Sequence, residues 1–386
     1  MAALLRRPGA RGAAAAALAA SAAVGTMAAL GRLPEPLGSS GAGSAVAECE
    51  ESGGVAAAVQ SFRSAFLGRG GGSTVQQASA SRPSEKELAA HGAVATTETR
   101  ERWTLRSSAR CAHAEFKGPH ELSSRVRQDC GEDAFFLGKH LDGVVSLGIA
   151  DGVGGWSSQG IDPALFAWEL MNRCQDVAEE TPSSSSSSPA PLACEEVAAD
   201  PKRVLIGGFE RLQRAAGGAP MGSSTACVAS LDRRSGELRV ANLGDSGALL
   251  VKGSSGACVM ESVAQQHRFN CPYQLMVAPH GFGGGDAPTA ADVYSARVEV
   301  GDVLVLATDG FLDNVSTEQA VALAAEMRAA EPGAIAERLL QLAQLHSKGW
   351  EETPFSISAK KHGHRHFGGK PDDITVLVAK VERVVE

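Results

Sequence analysis

The stretch VVSLGIADG, residues 144–152, is a run of mostly apolar residues that ends in Asp151 and Gly152. A short apolar run of this kind is typical of a strand buried in a sheet, and an Asp-Gly pair marks a turn at its end. Three more acidic positions border apolar runs in the same way: Glu132-Asp133 before Phe135-Phe136, Asp309 after residues 303–307, and Asp372 before residues 374–378. A buried strand holds a carboxylate at its end with little freedom, as a rigid site requires. The pattern therefore predicts a site at which carboxylates from distant parts of the chain converge.

The chemistry of these side chains favours a hard cation. Carboxylate oxygens select Mg²⁺ or Mn²⁺, whereas zinc prefers His and Cys. Two such cations could activate a bridging water for attack on phosphorus. An Asp-Gly pair after a strand is also an ordinary turn. Composition and spacing alone leave both interpretations open, a two-metal site and a set of turns.

The periodicity of the chain predicts a mixture of strands and helices. Residues 225–231 and 238–242 form two β-like runs around a turn at residues 234–236, which is a hairpin signal. Residues 318–329 and 333–346 are rich in the helix formers Ala, Leu, Glu and Gln. Strands with helices grouped between them favour an α+β fold that contains antiparallel sheets.

The N-terminal stretch has the composition of an organelle transit peptide. Residues 1–34 contain no Asp or Glu, and several Arg residues interrupt an Ala-rich run. We expect a cleavable presequence, with the mitochondrion as the favoured destination and a plastid as the alternative. Residues 12–30 are long enough to span a bilayer but are mostly Ala, so a membrane anchor or a disordered tail stays open as an alternative.

Two low-complexity segments adjoin or interrupt the part that is expected to fold. Residues 35–104 are rich in Gly, Ala and Ser and show little apolar periodicity, which predicts a linker. Residues 181–191 contain six consecutive serines and predict a loop inserted at the surface. The folded domain is therefore expected to span residues 105–386.

Charge and cysteine content narrow the class of protein. The formal net charge of −8 argues against nucleic acid as the main partner, because such binding relies on Lys and Arg. The eight cysteines form no CxxC pair and are irregularly spaced, which argues against a zinc ribbon or a disulfide scaffold. We expect reduced thiols, as in an intracellular compartment. We also expect a monomer without stable insertion into a membrane.

Six short motifs follow one another along the chain: GEDA (131–134), ADGVGG (150–155), GSSTA (222–226), ANLGDSG (241–247), ATDG (307–310) and KPDDITV (370–376). In this order they resemble the motifs of the metal-dependent (PPM, type two C) protein serine/threonine phosphatases, over about residues 110–384. QQHRFN at residues 265–270 resembles the organellar branch, the T-cell-activation-associated phosphatase homologues. The resemblance implies a four-layer α-β-β-α sandwich of two antiparallel sheets flanked by helices, with two metal ions at one end.

The resemblance also implies a set of metal ligands. Asp151 would bridge both ions, and the carbonyl of Gly152 would bind one of them. Asp309 and Asp372 would complete the primary ligands, and Asp133 would act near the metals. The catalytic residues would be Asp151, Asp309 and Asp372, because they hold the ions that perform the chemistry.

Three other acidic residues of the motifs receive less direct roles. Glu132 lies beside Asp133, and this pair is expected to act partly through water. Asp245 is expected to hold strands and a turn and not to touch metal. Asp313 resembles an acidic position that the family often carries, and two roles stay open for it: work at the site, or capping of a helix.

The chain departs from the family pattern at three places. Val153 stands where many members carry a His proposed as general acid. Residues 217–221 lack the carboxylate that supplies a third metal site in some members. Gln128 stands in place of a phosphate-binding Arg, with Arg125 or Arg127 as candidate substitutes.

His362, His364 and His366 alternate in a segment that also carries several Lys and Arg residues. Such a cluster can bind a metal. No Cys or carboxylate lies beside it in sequence, so a basic surface loop is the preferred interpretation. That loop would be able to contact a phosphorylated substrate.

The sequence thus predicts hydrolysis of phosphoserine or phosphothreonine in organellar proteins, with a water activated by two Mg²⁺ or Mn²⁺ ions. Phosphorylated proteins would be the partners. Two rival functions stay open. The first is a pseudophosphatase that binds partners without turnover, for which the missing His and Arg leave room. The second is a phosphatase of small phosphoesters.

Overall fold

The computed structural model describes residues 100–114, 129–141, 143–180, 199–216, 218–279 and 284–386. The predicted transit peptide and all of the predicted linker up to residue 99 lie outside these ranges. So do the Ser-rich insertion, residues 181–191, and the region of Arg125, Arg127 and Gln128.

The strands of the described chain form two five-stranded sheets and two two-stranded sheets. In chain order they are β1 (Glu101–Ala112), β2 (Asp133–Leu137), β3 (Val144–Asp151), β4 (Gly222–Ser224), β5 (Ala226–Asp232), β6 (Glu237–Leu243), β7 (Gly247–Val251), β8 (Cys258–Glu261), β9 (Gln266–Arg268), β10 (Cys271–Pro272), β11 (Leu275–Val277), β12 (Asp292–Arg297), β13 (Val303–Ala307) and β14 (Ile374–Val385).

The helices fall into two groups along the chain. They are α1 (Pro163–Ala178), α2 (Pro201–Gln213), α3 (Asp309–Leu312), α4 (Thr317–Glu326), α5 (Pro332–Ser347) and α6 (Pro354–Lys361), with 3₁₀ turns at Gly154–Gln159 and Pro288–Ala290. Within the described ranges, none of the helices combines the length and the apolar character needed to cross a membrane.

Two five-stranded antiparallel sheets form the centre of the domain. One has the strand order β1-β14-β13-β7-β8, and the other has the order β12-β6-β5-β3-β2. The predicted hairpin is the β5–β6 pair, in which Ala226 lies opposite Leu243 and Leu231 lies opposite Leu238. Because β2 and β3, and likewise β5 and β6, follow one another closely along the chain, local turns set the register of these two pairs.

Three apolar cores separate four layers. The two sheets enclose a buried cluster that includes Leu147 and Leu377. α1 and α2 cover the outer face of the second sheet through residues such as Phe166, and α4 and α5 cover the first sheet through residues such as Leu339. Each fully buried side chain of this size contributes about 1.5–3 kcal/mol by leaving water. The predicted α+β fold, a four-layer α-β-β-α sandwich, is confirmed.

The edge of the first sheet begins earlier than the sequence suggested. β1 starts at Glu101, inside the segment predicted as linker, and pairs with β14 along its whole length from Glu101 opposite Val385 to Ala112 opposite Ile374. Arg100 continues the pairing, since its N–H donates to the carbonyl of Glu386 at 2.9 Å. The first and last strands of the domain are therefore neighbours.

The prediction of reduced thiols is wrong for part of the cysteines. Cys111 at the end of β1 and Cys130 before β2 form a disulfide, with Cα atoms 5.3 Å apart, and Cys271 is also disulfide-bonded. Cys174, Cys227 and Cys258 are free. The spacing in sequence gave no sign of the first pair, because only the folded sheets bring the ends of β1 and β2 together.

Candidate active site

Carboxylates from both sheets meet at one end of the sandwich. Asp133 at the start of β2 lies opposite Asp151 at the end of β3. Asp309 follows β13 and Asp372 precedes β14, and these two strands are paired neighbours. A cavity of about 200 Å³ opens at this end. The polar and small residues in its wall include Glu132, Asp151, Gly152, Gly154, Thr225, Asp245, Asn270, Asp309, Lys370 and Asp372.

Asp151 is held by a network of hydroxyl groups on the neighbouring strands. Its N–H donates to Thr225 Oγ1 at 3.1 Å, and that oxygen lies 2.7 Å from Ser246 Oγ. The N–H of Thr225 donates back to the carbonyl of Asp151 at 3.0 Å. Burial, followed by the negative charge of Asp309, raises the pKa of Asp151 well above its ordinary value. The chain thus forces carboxylates together, and a cation between them would relieve the repulsion.

Lys370 lies among three of the carboxylates. Its Nζ is 2.6 Å from Asp309 Oδ2, 2.7 Å from Asp313 Oδ2 and 3.3 Å from Asp372 Oδ2. Burial lowers the pKa of Lys370, but the three negative charges outweigh burial and leave the pKa well above its ordinary value. The ammonium group is therefore charged at neutral pH. Asp313, whose role the sequence left open, faces the site through this ion pair.

The buried side chain of Asn314 ties Lys370 to the helix that carries Asp309. Its Nδ2 donates to the carbonyls of Gly310 and Lys370, both at 2.8 Å, and its Oδ1 accepts from the N–H of Lys370 at 2.9 Å. The nitrogen and the oxygen of this one side-chain amide thus hold two chain segments together. A buried amide satisfied in this way specifies a single arrangement.

Asp373 organises the turn that presents Glu132. Its carboxylate accepts from the N–H of Ala114 at 2.6 Å and from the N–H of Glu132 at 2.8 Å. Gly131 in this turn has φ +67°, and a Cβ there would lie 2.2 Å from the Asp373 carboxylate. Only glycine suits both the backbone conformation and the space. The carbonyl of Glu132 accepts from the N–H of Gly152 at 3.1 Å, so this turn also supports the β3 end.

Asp133 lies behind the cavity and Glu132 lies in its wall. Asp133 is fully buried, and its Oδ2 accepts from Thr308 Oγ1 at 2.9 Å. Burial, followed by the charge of Asp373, raises its pKa well above the ordinary value. The structure therefore brings Asp151, Gly152, Asp309 and Asp372 into the cavity wall but places Asp133 one layer deeper, against the residue that precedes Asp309.

Asp245 lies in the cavity wall, although the sequence assigned it to holding a turn. Gln266 Nε2 donates to its Oδ2 at 2.8 Å. Burial, followed by the charge of Asp309, raises the pKa of Asp245 to about 7. The preceding Gly244 has φ +102° and contacts Thr225, which explains how the β6–β7 turn comes this close to the site. Asp245 lies just after β6, as Asp151, Asp309 and Asp372 lie at the ends of their strands. This placement at a strand end was the signal in the sequence that could have assigned Asp245 to the site.

The donor set fits divalent cations that prefer oxygen. The wall supplies several carboxylates, and the Lys370 ammonium group shows that positive charge is accommodated among them. No three His, Cys, Asp or Glu side chains in the described ranges are arranged closely enough to hold a metal ion as they stand. Because the ammonium group lies between Asp309, Asp313 and Asp372, it has to move before those carboxylates can share an ion.

Lys370 is the residue that sequence reasoning missed. Of the described residues in the cavity wall it is the one cation, and Val153 lines the wall at the position where many members of the family carry a His. The signal was present, since Lys370 opens the motif KPDDITV. Its position alone does not reveal that the side chain turns back into the carboxylates.

The sandwich and its acidic cavity define the class of metal-dependent phosphatase domains, and comparison with known proteins agrees. Residues 142–382 match the family described as Stage II sporulation protein E (SpoIIE). The protein phosphatase PTC7 homolog of Homo sapiens is 38% identical over 259 residues, which is 65% of this chain and 79% of that protein. The PTC7 homolog fig of Drosophila mojavensis is 38% identical over 261 residues, which is 65% of this chain and 78% of that protein.

A solved structure supports the same assignment. The photosystem II phosphatase PBCP shares 28% sequence identity and a TM-score of 0.57, over 72% of this chain and 99% of that chain. The chain belongs to the SpoIIE/PP2C-type family of metal-dependent protein phosphatases. The predictions of the family and of a metal-dependent protein phosphatase are confirmed.

Proposed function

We propose that the chain hydrolyses phosphoserine and phosphothreonine in proteins with two Mg²⁺ or Mn²⁺ ions. The observation that carries the proposal is the meeting of Asp151, Asp309 and Asp372 in one cavity, with Gly152 beside them. The ions, when bound, would supply a Lewis acid that activates water and neutralises charge on the phosphoryl group.

The residues of the chain would divide the remaining work between holding and positioning. Asp151, Asp309 and Asp372, with the Gly152 carbonyl, would hold the ions. Asp133 belongs to the same carboxylate set, and through Thr308 it fixes the segment that leads to Asp309. Rigid placement of this kind is what a site that stabilises developing charge requires.

The test is phosphate release from a phosphothreonine peptide by the full chain, with Mn²⁺, Mg²⁺ or EDTA. We expect release that depends on the metal and that Asp309→Asn reduces by a factor of about a hundred or more, since it removes one ligand charge from the ions. Asp176→Asn is the matched control, because this exposed carboxylate on α1 pairs with Arg173 and lies outside the cavity.

Two outcomes would overturn the proposal in different ways. No release from folded, metal-loaded protein would leave a binding module. Turnover of p-nitrophenyl phosphate that greatly exceeds turnover of the peptide would leave a phosphatase of small phosphoesters. Titration calorimetry with Mn²⁺ counts the ions, and a stoichiometry of one per chain would contradict the two-ion site.

A mitochondrial location and a monomeric state are also proposed from the sequence. The support for the location is the acid-free, Arg-bearing composition of residues 1–34. A fluorescent fusion of these residues should enter mitochondria, and a fusion that stays in the cytosol or enters plastids would contradict this destination. Sedimentation of the full chain tests the monomer.

A further inference from the structure

α6 and the loop that follows it are basic, although the chain as a whole is acidic and Glu351 and Glu352 lie just before this segment. Residues 354–371 contain no Asp or Glu, while the chain carries a formal net charge of −8. Apart from Lys370, which lies among the cavity carboxylates, the exposed or half-exposed basic side chains of this segment are Lys360, Lys361, His362, His364, Arg365 and His366. We call these six residues the basic rim.

Aromatic contacts attach the basic rim to the wall of the active-site cavity. Phe269 stacks on His362 and His364, with ring centroids 5.2 and 4.9 Å apart. The next residue, Asn270, lines the cavity and has φ 55°. A positive φ at a residue other than glycine is uncommon and directs the chain sharply. Phe269 contacts the rim and the adjacent Asn270 lines the cavity, so a single peptide unit connects the two.

A second chain of contacts leads from the carboxylates to the rim. Lys370, which pairs with Asp309, lies 5.1 Å over the ring of Phe355. The same ring meets His366 edge-on at 4.8 Å. A peptide advances about 3.3 Å per residue, so a substrate with its phosphorylated residue in the cavity reaches the rim within a few residues.

Hydrogen bonds hold the rim in place. The N–H of His364 donates to the carbonyl of Ala359 at 2.9 Å, and His366 Nε2 donates to the carbonyl of Gly369 at 3.1 Å. Thr353 Oγ1 donates to the carbonyl of Gly368 at 3.1 Å. α6 itself starts with a capping box between Thr353 and Ser356. A surface held in place recognises a partner at a lower entropic cost than a mobile one.

We propose that the basic rim docks an acidic stretch of the phosphoprotein substrate next to its phosphorylated residue. The proposal rests on the proposed function and names the class of substrate. Charge complementarity selects this occupant: the rim carries exposed Lys and Arg side chains, and residues 354–371 hold no Asp or Glu, so the rim attracts acidic flanking residues. The rim therefore favours phosphorylated sites flanked by Asp or Glu.

The experiment compares two phosphothreonine peptides that differ only in flanking Asp and Glu or flanking Asn and Gln. The full chain loaded with Mn²⁺ should prefer the acidic peptide, mainly through KM. The double variant Lys360→Glu with Lys361→Glu should lose about tenfold in kcat/KM on the acidic peptide, since it replaces exposed attraction by repulsion. Raised salt should shrink the preference of the unmodified chain.

A matched control reverses two exposed cations elsewhere. Arg203→Glu on α2 with Arg214→Glu directly after it changes the net charge equally, and these side chains pair with Asp200 and Glu210 away from the cavity. It should leave the peptide preference intact. Turnover of p-nitrophenyl phosphate, which has no flanking residues, should be the same in the rim variant and the unmodified chain. If neither protein turns over the phosphothreonine peptides or p-nitrophenyl phosphate, the proposed function is refuted and not the rim.

Equal kcat/KM of the rim variant and the unmodified chain on the acidic peptide would overturn the proposal. Phosphatidylcholine vesicles with and without phosphatidylserine test the competing occupant. Retention on the anionic vesicles that is lost in the rim variant, without any peptide preference, would assign the rim to a membrane surface and equally overturn the proposal.

Discussion

Lys370→Met tests whether the ammonium group competes with the divalent ions for the carboxylates. The side chain lies 2.6, 2.7 and 3.3 Å from Asp309, Asp313 and Asp372. At an effective dielectric constant of about 20, each such pair attracts by roughly 5–6 kcal/mol before desolvation is subtracted. Removing one partner of a buried ion pair costs about 3–5 kcal/mol net, because the other charges stay uncompensated. We expect the metal-free variant to lose stability of this order.

The same substitution should strengthen metal binding. In the unmodified chain, an ion that takes Asp309 and Asp372 has to displace the ammonium group and forfeit its interaction energy. About 1.4 kcal/mol of that energy already corresponds to a factor of ten in affinity. We therefore expect Mn²⁺ to bind Lys370→Met at least about tenfold more tightly. Calorimetric titration of protein stripped with EDTA measures the affinity, and urea denaturation in EDTA measures the stability.

Lys252 offers a matched control for Lys370. Its Nζ lies 2.9 Å from the fully buried Asp302, in a similarly buried ion pair outside the cavity. Lys252→Met should lower the free energy of unfolding and leave the Mn²⁺ affinity unchanged. An affinity of Lys370→Met for Mn²⁺ that equals or falls below that of the unmodified chain would refute the competition.

Three further perturbations test other parts of the site. Because burial and the charge of Asp309 raise the pKa of Asp245 to about 7 from an ordinary 3.8, the folded state holds this proton more tightly. Its contribution to the stability of metal-free protein is complete below about pH 4 and is lost as the pH rises through about 7. In EDTA, the free energy of unfolding of the unmodified chain should fall with rising pH relative to that of Asp245→Asn. Parallel curves of this free energy against pH would contradict the prediction. Gly131→Ala should cost about 1–3 kcal/mol in thermal unfolding. Gly160→Ala, at φ +74° with nothing within 4 Å, should cost less, and equal losses would contradict the contact with Asp373. Replacing Cys111 and Cys130 together by Ser should lower stability by about 3 kcal/mol in urea without reductant. An unchanged midpoint would argue against their pairing.

The ends of the buried strands could be predicted from the sequence because two signals coincide there. An apolar run followed by Asp and Gly fixes both the strand and its end, so residues 144–150 and 303–307 led to Asp151 and Asp309. β1 was missed for the opposite reason. It lies at the edge of its sheet, its burial follows no simple alternation, and charged residues interrupt it.

The finer arrangement of the site depends on contacts that have no local signature. Asn314, which is distant in sequence, holds the backbone of Lys370, and the side chain of Lys370 lies among carboxylates from other segments. Asp245 enters the cavity wall because Gly244 lets its turn approach Thr225. Both outcomes follow from packing between segments, which a periodicity along the chain cannot encode.

The pairing of β1 with β14 has a consequence for the synthesis of the protein. The first strand of the domain leaves the ribosome long before its partner exists, and Glu132 is made long before the Asp373 carboxylate that orders its turn. Contacts of such large separation slow folding, because the chain must close a long loop to form them. An interrupted chain that stops before residue 372 lacks β14, the strand that joins β1 to β13, and also lacks one of the cavity carboxylates. We therefore expect a product that ends before residue 372 to be inactive.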